Sequence, residues 1–518
     1  MKKILLLVLP FLMGSVCQAE DINISYDGSK ARVQQTVKDS VRVIVDGACV
    51  NIESMFTDRK LTIRLTGRSD NGQLVLSSAG KVKVTLSGLT LTSQEGAPLC
   101  LKNKKKVEVV AAKGTENTLS ITACNDTVNN KAAVIWAKDK LLLSGKGTLN
   151  VIASGDGCRG IKTKKDITIE QLTLNVTTSG DNLGEKPFGF GGGMPDFGGG
   201  FPMGNDSTMG GFPGFGGGGF PGGMPDFGGF PNFPDSIQIG GFPGFGGGGF
   251  PGGGFPGGMP DFGGGGFPGF DGDSIEGGPG GFGGKHKYIA STKGIASKGK
   301  ITINSGNVTV RTSTAGAEGI EGKQGIIFNG GNVDVLTTDD AINANACIEF
   351  NGAHVTAHSI GNDAVDSNPQ GGFFMPFGGN SEQNSDPAVI IRGGTVYAWS
   401  EVGSPEEGLD CDFAPLVIEG GNVFSVGGGM GEMPSVPTND TARQPTVLLI
   451  GINIVKNEPV SVYDADGKLL DQVTIPFSMR RSASLVTTPA FKLGSTYTVK
   501  TTGYEKTFTL SENFTAVR

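Results

Sequence analysis

The sequence has few of the residues that usually carry catalysis or nucleic-acid binding. Its 518 residues include three histidines, His286, His354 and His358, whose positions match neither a catalytic triad nor a metal-ligand spacing. Lysine and arginine number 43 against 50 acidic residues and form no dense basic cluster, so nucleic acid is not an expected partner. Beyond the N-terminus, no stretch is long and apolar enough to span a membrane.

Cysteine is also scarce, and its spacing excludes two common kinds of small domain. Six cysteines follow the N-terminal leader, without the short, even spacings of a disulfide framework or a zinc site. They are Cys49, Cys100, Cys124, Cys158, Cys347 and Cys411. Cys411 falls where a repeat has small residues, so we expect it to be an interior side chain.

Residues 1–19 are typical of a signal peptide. Lys2 and Lys3 precede an apolar run, and Cys17-Gln-Ala19 provides a cleavage site of small residues. The sequence therefore predicts an exported protein, found outside the cell, at its surface or in the periplasm. A lipid anchor at Cys17 is an alternative, although Val16 is larger than the small residue that such a site requires. Without the two lysines, the formal charge changes from −7 to −9.

One short pattern recurs five times between residues 293 and 426, with starts 25, 22, 23 and 44 residues apart. A period in the low twenties is typical of a solenoid. The aligned pentapeptides are Lys293-Gly-Ile-Ala-Ser297, Glu318-Gly-Ile-Glu-Gly322, Asp340-Ala-Ile-Asn-Ala344, Asp363-Ala-Val-Asp-Ser367 and Glu407-Gly-Leu-Asp-Cys411. Arg159-Gly-Ile-Lys-Thr163 is interpreted as an earlier copy.

Two alternating strands, separated by a turn of small residues, follow each pentapeptide. The first strand places apolar residues such as Ile301 and Ile303 on one face, and the second does the same with Val308 and Val310. Three short strands per turn, each with one interior face, predict an all-β right-handed parallel β-helix. The right hand is expected because crossover connections between parallel strands are almost always right-handed.

The pattern divides the chain into five parts. Residues 1–19 form the signal peptide, 20–186 an N-terminal part of the β-helix with a weaker repeat, and 285–436 the main turns, with a smaller insertion at 371–386. Residues 187–284 are a Gly/Phe/Pro/Met low-complexity insertion, expected to be disordered. Residues 437–518 are predicted to be a small antiparallel β segment that caps the open end of the coil.

Acidic side chains occupy the first and fourth positions of successive pentapeptides and are expected to stack about 4.8 Å apart. Two carboxylates at ~5 Å repel by roughly 3 kcal/mol at an effective dielectric constant of 20, so buried ones would need a counter-ion. Hard oxygen ligands of this kind suit Ca²⁺. The alternative is a solvated acidic face. The candidate metal ligands are Glu318, Glu321, Asp339, Asp340, Asp363, Asp366, Glu407 and Asp410.

Aromatic side chains on the second strand suggest a carbohydrate platform. If Val396 and Ala398 face inward, Tyr397 and Trp399 face outward. Outward positions of neighbouring turns add Phe424 and His358, and flat aromatic faces can stack on sugar rings. The alternative is that residues 371–386 or the C-terminal segment fold over this patch and bury it.

Enzymatic machinery is less evident. A polysaccharide lyase on a β-helix would need Ca²⁺ and a Lys or Arg base beside the acids. Lys323 and Arg392 are the available cations, and each is alone in its column of the repeat. A calcium-dependent lyase is therefore the first alternative, and a structural surface protein or adhesin acting through residues 187–284, with self-association of that segment, is the second.

The run of Asp/Glu-Gly/Ala-Ile/Val/Leu-x-Ala/Ser pentapeptides, each followed by a strand pair, resembles a family of exported carbohydrate-binding domain-containing proteins. Val82-Lys-Val-Thr-Leu-Ser-Gly-Leu-Thr-Leu-Thr92 and Gly114-Thr-Glu-Asn-Thr-Leu119 are similar to its N-terminal half, so the resemblance covers residues 75–186 and 285–428. It implies a polysaccharide-lyase-like, right-handed parallel β-helix with calcium sites and non-catalytic binding of cellulose-like or acidic plant polysaccharides. Lys293 departs from the family's acidic column.

We therefore expect a secreted, calcium-stabilised β-helix that binds plant cell-wall polysaccharide without cleaving it.

Overall fold

The computed structural model describes residues 20–37, 39–123, 132–185, 288–369, 386–411, 414–428 and 434–518. The predicted signal peptide, the low-complexity insertion at 187–284, nearly all of the smaller insertion at 371–386, Cys124 and His286 lie outside the described residues. Every regular element in the described part of the chain is a β-strand. No helix there is long and apolar enough to cross a membrane.

The N-terminal part contains seventeen described strands, which mostly follow an apolar alternation with a buried side chain at every second residue. They are β1 (Ile22–Asp27), β2 (Lys30–Gln35), β3 (Val41–Asp46), β4 (Cys49–Ser54), β5 (Leu61–Ser69), β6 (Gln73–Ser78), β7 (Val82–Ser93), β8 (Leu99–Leu101), β9 (Val107–Ala111), β10 (Glu116–Ile121), β11 (Ala133–Ala137), β12 (Leu141–Gly145), β13 (Thr148–Ala153), β14 (Arg159–Thr163), β15 (Ile167–Glu170), β16 (Thr173–Thr178) and β17 (Leu183–Glu185).

The first turn departs from the predicted parallel pattern. Strands β1 and β2 pair antiparallel, and so do β3 and β4, before the parallel pairings begin with β1 on β5 and β4 on β6. The hairpin partners β2 and β3 occupy the sheet edges beside β1 and β4, where a further parallel strand could otherwise pair.

The next sixteen strands are β18 and the fifteen strands of the pentapeptide repeats. They are β18 (Tyr288–Ala290), β19 (Lys293–Ser297), β20 (Ile301–Ile303), β21 (Asn307–Thr312), β22 (Glu318–Gly322), β23 (Ile326–Phe328), β24 (Asn332–Thr337), β25 (Ile342–Ala344), β26 (Ile348–Phe350), β27 (His354–Ser359), β28 (Val365–Ser367), β29 (Val389–Ile391), β30 (Thr395–Ser400), β31 (Leu409–Asp410), β32 (Leu416–Ile418) and β33 (Asn422–Gly427).

From β19 onward, each strand pairs in parallel with the strand three places later. The pairs β19–β22, β20–β23 and β21–β24 begin the series, and β28–β31, β29–β32 and β30–β33 end it. The described strands thereby build long parallel sheets, as in a β-helix-like solenoid.

The predicted register of the repeats is confirmed. Ile295 aligns with Ile320, Ile320 with Ile342, and Val365 with Leu409, so the third position of each pentapeptide is buried in one column. Phe328 and Phe350 stack in a second column with ring centroids 5.0 Å apart. Cys411 is 1% exposed within the main core, which confirms its interior assignment.

The sheets continue across the low-complexity insertion. Strand β14, the interpreted early pentapeptide, pairs with β19, and β15 and β16 pair with β20 and β21. Strands β17 and β18 form an antiparallel pair in which Glu185 is opposite Tyr288. The backbone therefore leaves the coil and returns to it at one place.

The C-terminal segment is only partly antiparallel. Its strands are β34 (Thr446–Ile454), β35 (Pro459–Asp464), β36 (Leu469–Thr474), β37 (Met479–Thr487), β38 (Thr496–Thr501), β39 (Tyr504–Thr509) and β40 (Phe514–Val517). β36, β35, β38 and β39 form a four-stranded antiparallel sheet, but β34 and β40 pair in parallel, which the sequence pattern did not indicate. β37 pairs antiparallel with β33 of the coil, so a sheet of the coil continues directly into this segment.

Candidate functional site

Parallel pairing of the pentapeptide strands stacks their acidic positions. Backbone hydrogen bonds from Gly319 N to Asp340 O and from Ala341 N to Asp363 O, with distances of 2.9 and 3.2 Å, link successive first positions. The fourth positions align as Glu321, Asn343, Asp366 and Asp410. Two adjacent columns of acidic or amide side chains therefore run along the coil, as predicted.

Lys293 neutralises the N-terminal end of these columns. Its side chain is 2% exposed, and its Nζ lies 3.2 Å from Glu318 Oε2 and 2.9 Å from Glu321 Oε1. Lys323 also forms an ion pair with Glu321. Burial raises the pKa of Glu318 to about 7, while the Lys293 charge opposes that rise. The residue that departs from the acidic pattern is thus the internal counter-ion of this end.

An amide links the acids of the middle turns. Asn343 Nδ2 lies 2.9 Å from Asp340 Oδ2 and also 2.9 Å from Asp366 Oδ2, so one side chain donates to both carboxylates. Asn368 Nδ2 donates to Asp366 Oδ1 at 2.8 Å. Asp339 is bound elsewhere, since its Oδ1 accepts a 2.8 Å hydrogen bond from Asn362 Nδ2. These three carboxylates therefore accept hydrogen bonds from amide side chains of the same region.

The C-terminal end of the columns has a stronger concentration of buried acids. Asp363 is 6% exposed and accepts a hydrogen bond from the Glu407 backbone N–H. Burial raises its pKa well above the usual value, and the carboxylates of Asp410 and Asp366 raise it further. Glu407 Oε2 accepts a 2.7 Å hydrogen bond from Ser435 N.

The acids do not by themselves outline a preformed metal site. In the described ranges, no group of three or more His, Cys, Asp or Glu side chains has an arrangement that could hold a metal ion. The donor set of Asp363, Asp366, Glu407 and Asp410 has the oxygen chemistry that Ca²⁺ prefers, whereas Glu318 and Glu321 already have lysine partners.

The two cations considered for lyase chemistry both form ion pairs with acidic side chains. Lys323 pairs with Glu321, and Arg392 Nη1 lies 2.6 Å from Glu349 Oε2, with Glu419 as a further partner. Sequence spacing missed the pair of Arg392 and Glu349 because the two residues lie in neighbouring turns, 43 residues apart along the chain.

The predicted aromatic platform is covered, which corrects the expectation of a flat exposed surface. Trp399 is 6% exposed and Phe424 is 2% exposed, and both lie in a core shared with the C-terminal segment. His358 is 9% exposed, stacks on Phe477 with ring centroids 5.4 Å apart, and its Nε2 lies 2.8 Å from Glu401 Oε1. The stated alternative, burial by the C-terminal segment, is what the structure contains, because β37 and its neighbours supply apolar partners that bury these rings.

Tyr397 is the one member of the predicted platform that stays half-buried. Its ring lies parallel to that of Trp399, with centroids 5.5 Å apart and planes 13° apart. Burial raises the pKa of its hydroxyl, and the charge of Asp471 on β36 adds to the rise. The ring therefore stands where the open sheet face meets the C-terminal segment.

Many outward side chains on this sheet are short and polar, and they stack in register. Asn175 Nδ2 donates to Asn150 Oδ1 at 2.8 Å, and Asn332 Nδ2 donates to Asn307 Oδ1 at 2.9 Å. Thr92 and Ser120 are 2.8 Å apart between their hydroxyl oxygens. The outer face of β7, β10, β13, β16, β21, β24, β27 and β30, which we call the polar face, thus repeats amides and hydroxyls once per turn.

A groove of about 520 Å³ crosses the polar face at β24, β27 and β30. Its polar lining consists of Asn332, Asp334, His354, Thr356, Thr395 and Tyr397. Among these residues, only Tyr397 belonged to the predicted carbohydrate-binding set. The polar residues at alternate positions of the three second strands were the available signal for the others.

Two comparisons with known proteins agree with the resemblance given above. A family model described as carbohydrate-binding domain-containing protein matches residues 27–187 and 280–364. A carbohydrate-binding domain-containing protein of Acetivibrio thermocellus is 26% identical over 138 residues, which are 26% of this chain and 48% of that protein. The match thus spans about half the length of this relative.

A solved structure, described as a gadolinium derivative of the polysaccharide lyase-like protein from C. thermocellum, covers 73% of this chain and 96% of its own at 14% identity. Its TM-score of 0.38 is too low to support a statement about fold or function. The family match begins at residue 27 rather than 75, where the resemblance in the sequence began, and it ends at residue 364 rather than 428. Over residues 27–187 and 280–364, this chain is similar to the carbohydrate-binding domain-containing proteins.

Proposed function

We propose that the protein binds a plant cell-wall polysaccharide, cellulose-like or acidic, and does not cleave it. The observation that carries this proposal is the polar face, where amides and hydroxyls repeat from one strand to the next at about 4.8 Å. An extended polysaccharide also repeats its hydroxyl groups along one direction, so a regular row of donors and acceptors can follow it. The match to a carbohydrate-binding family supports the same ligand class.

The ion pairs favour binding over cleavage. A lyase needs a basic side chain that is free to remove a proton from the sugar. Lys293 is buried between two glutamates, and Lys323 and Arg392 each contact carboxylates. Groups that are engaged in such ion pairs are not free to remove a proton from a sugar.

Calcium is part of the proposal only at the C-terminal end of the acid columns. There, Asp363, Asp366, Glu407 and Asp410 would hold the ion after their side chains rearrange around it, because carboxylate oxygens suit a hard cation. When bound, the cation would neutralise these carboxylates and could bridge them to the carboxylates of an acidic glycan.

The remaining finer expectations belong to the same proposal. The coil is right-handed with three strands per turn, residues 437–518 cap it, and the protein is exported through residues 1–19. Self-association through residues 187–284 is compatible with glycan binding, since that segment is separate from the polar face in the sequence.

Calorimetric titration of the protein without residues 1–19 tests the proposal. The ligands are cello-oligosaccharides and oligogalacturonides, each with calcium and with chelator, while ultraviolet absorbance reports unsaturated lyase products. Saturable heat without new absorbance is the expected result. New absorbance would make the protein a lyase, and no heat with any ligand would contradict polysaccharide binding.

A further inference from the structure

We infer that the groove across β24, β27 and β30 is the binding site for a neutral glycan chain. This inference rests on the proposed function and deepens it by assigning the site and the charge of its ligand. The site differs from both the acid columns and the buried aromatic patch.

The groove offers hydrogen-bonding groups that the protein does not use internally. Within the described residues, the side chains of His354, Thr356 and Thr395 have no hydrogen-bond partner, and neither does the Tyr397 hydroxyl. Each can therefore donate to a sugar hydroxyl, and the hydroxyl oxygens can also accept. The Asn332 side-chain amide donates a hydrogen bond to Asn307 Oδ1, which fixes the orientation of the Asn332 side chain.

Register places these groups in two short rows. Asn332, His354 and Thr395 align on successive strands, and Asp334, Thr356 and Tyr397 form the parallel row. Three strands at about 4.8 Å spacing span on the order of 10 Å, enough for two or three sugar rings of an extended chain. A chain that crosses the strands would thus meet similar groups at each step.

Tyr397 supplies a flat apolar surface at the end of these rows. Its ring is held by Trp399, which is itself fixed in the core of the C-terminal segment. A ring that is already fixed loses little conformational entropy when a sugar stacks on it. Burial raises the pKa of the Tyr397 hydroxyl, so it remains a donor at neutral pH.

Charge selects against uronic acids. The described lining contains no lysine or arginine, and its one carboxylate, Asp334, forms an ion pair with Arg311. Arg311 also donates from Nη1 to the Asp334 carbonyl oxygen at 2.8 Å, so this guanidinium is already paired with Asp334. A glycan carboxylate would find no positive partner here, whereas neutral hydroxyls match the lining.

The test compares cellohexaose with an oligogalacturonide of the same length by calorimetry on the full mature chain, in chelator to remove calcium bridging. We expect Tyr397→Ala and Thr356→Glu each to weaken cellohexaose binding by about five- to tenfold, through lost stacking and a blocked groove. Tyr397→Phe keeps the ring and separates stacking from the hydroxyl. Thr168→Glu is the matched control, since Thr168 faces outward on β15 in a different strand column.

Each outcome decides a different point. Weakening by the groove variants, with unchanged binding by Thr168→Glu, supports the groove. Unchanged cellohexaose affinity in both groove variants would overturn the groove and leave the proposed function standing. Tighter binding of the galacturonide, weakened by Tyr397→Ala, would overturn the neutral ligand. If neither glycan gives a heat of binding, both the groove assignment and the proposed function are wrong. Circular dichroism verifies that each variant folds.

Discussion

At the scale of single residues, the acid columns show how burial determines which charges need a partner. Lys293 is almost fully buried and contacts Glu318 and Glu321, so the three charges form a mixed cluster. A buried ion pair adds little net stability, but removing one partner leaves an uncompensated charge. The cluster is therefore sensitive to the loss of its lysine.

We expect Lys293→Met to destabilise the fold by about 3 kcal/mol, because two buried carboxylates lose their nearest cation. Urea unfolding at pH 7 measures the change. Lys500→Gln serves as the control, since its pair with Glu505 is exposed and should contribute less than about 1 kcal/mol. Equal effects of the two substitutions would contradict the role of Lys293 as an internal counter-ion.

Glu318 gives the stability a pH dependence. Its folded-state pKa of about 7 lies above the ordinary 4.5, so the stability it contributes is present below about pH 4.5 and is lost as pH rises through 7. We expect Glu318→Gln to gain about 1–3 kcal/mol relative to the native protein between pH 5 and pH 8. Urea unfolding at both pH values measures the difference, and parallel stability profiles would refute it.

The sequence could predict the acid columns but not which of their members are neutralised. Periodicity places Glu318 and Asp363 at equivalent positions, and the register confirms that placement. Side-chain contacts between turns then separate them, because Glu318 has Lys293 beside it, while Asp363 has Asp410 and Asp366. Such contacts depend on rotamers and on residues far away in the sequence.

At the scale of elements, the second position of the pentapeptide is small because neighbouring turns approach closely. A Cβ added at Gly294 would lie 2.6 Å from Gly319 O and 2.4 Å from Val310 Cγ1. Ala occupies the same position in two other copies, so the steric limit on side-chain size applies only to particular turns. The glycine is thus a packing requirement of this pair of strands.

We expect Gly294→Ala to destabilise the protein by about 1–3 kcal/mol through overpacking. Thermal unfolding followed by circular dichroism measures the effect. Gly393→Ala is the matched control, because the nearest atom to its added Cβ is Asn351 O at an ordinary 3.4 Å, and it should be neutral or slightly stabilising. A neutral Gly294→Ala would show that β19 and β22 can move apart.

Strand order and register were predictable because alternation and small-residue turns are local signals. The burial of Trp399 was not predictable from the strand that carries it, since it depends on Phe477 and other residues of a segment that follows later in the chain. Tertiary contacts alone therefore leave Tyr397 half-buried and bury Trp399 on the same strand.

At the scale of the whole molecule, the insertion at 187–284 is attached through one antiparallel pair, with Glu185 opposite Tyr288. We expect replacement of residues 187–284 by a short Gly/Ser turn to leave the unfolding temperature within a few degrees and glycan affinity unchanged, because β14–β19 pairing does not need that segment. Differential scanning calorimetry measures the unfolding temperature, titration with cellohexaose measures the affinity, and analytical ultracentrifugation measures self-association. Loss of binding or of self-association would favour the adhesin interpretation.

The pairing of β14 with β19 also has a consequence for the order in which the chain assembles. Ile161 and Ile295 are neighbours in space but are separated by more than a hundred residues of synthesis. The N-terminal turns can coil while the ribosome is still adding the insertion, and β14, β15 and β16 then present open edges. Those edges act as a template for the next turn, so the insertion imposes a pause during which the half-built coil must avoid pairing with another chain.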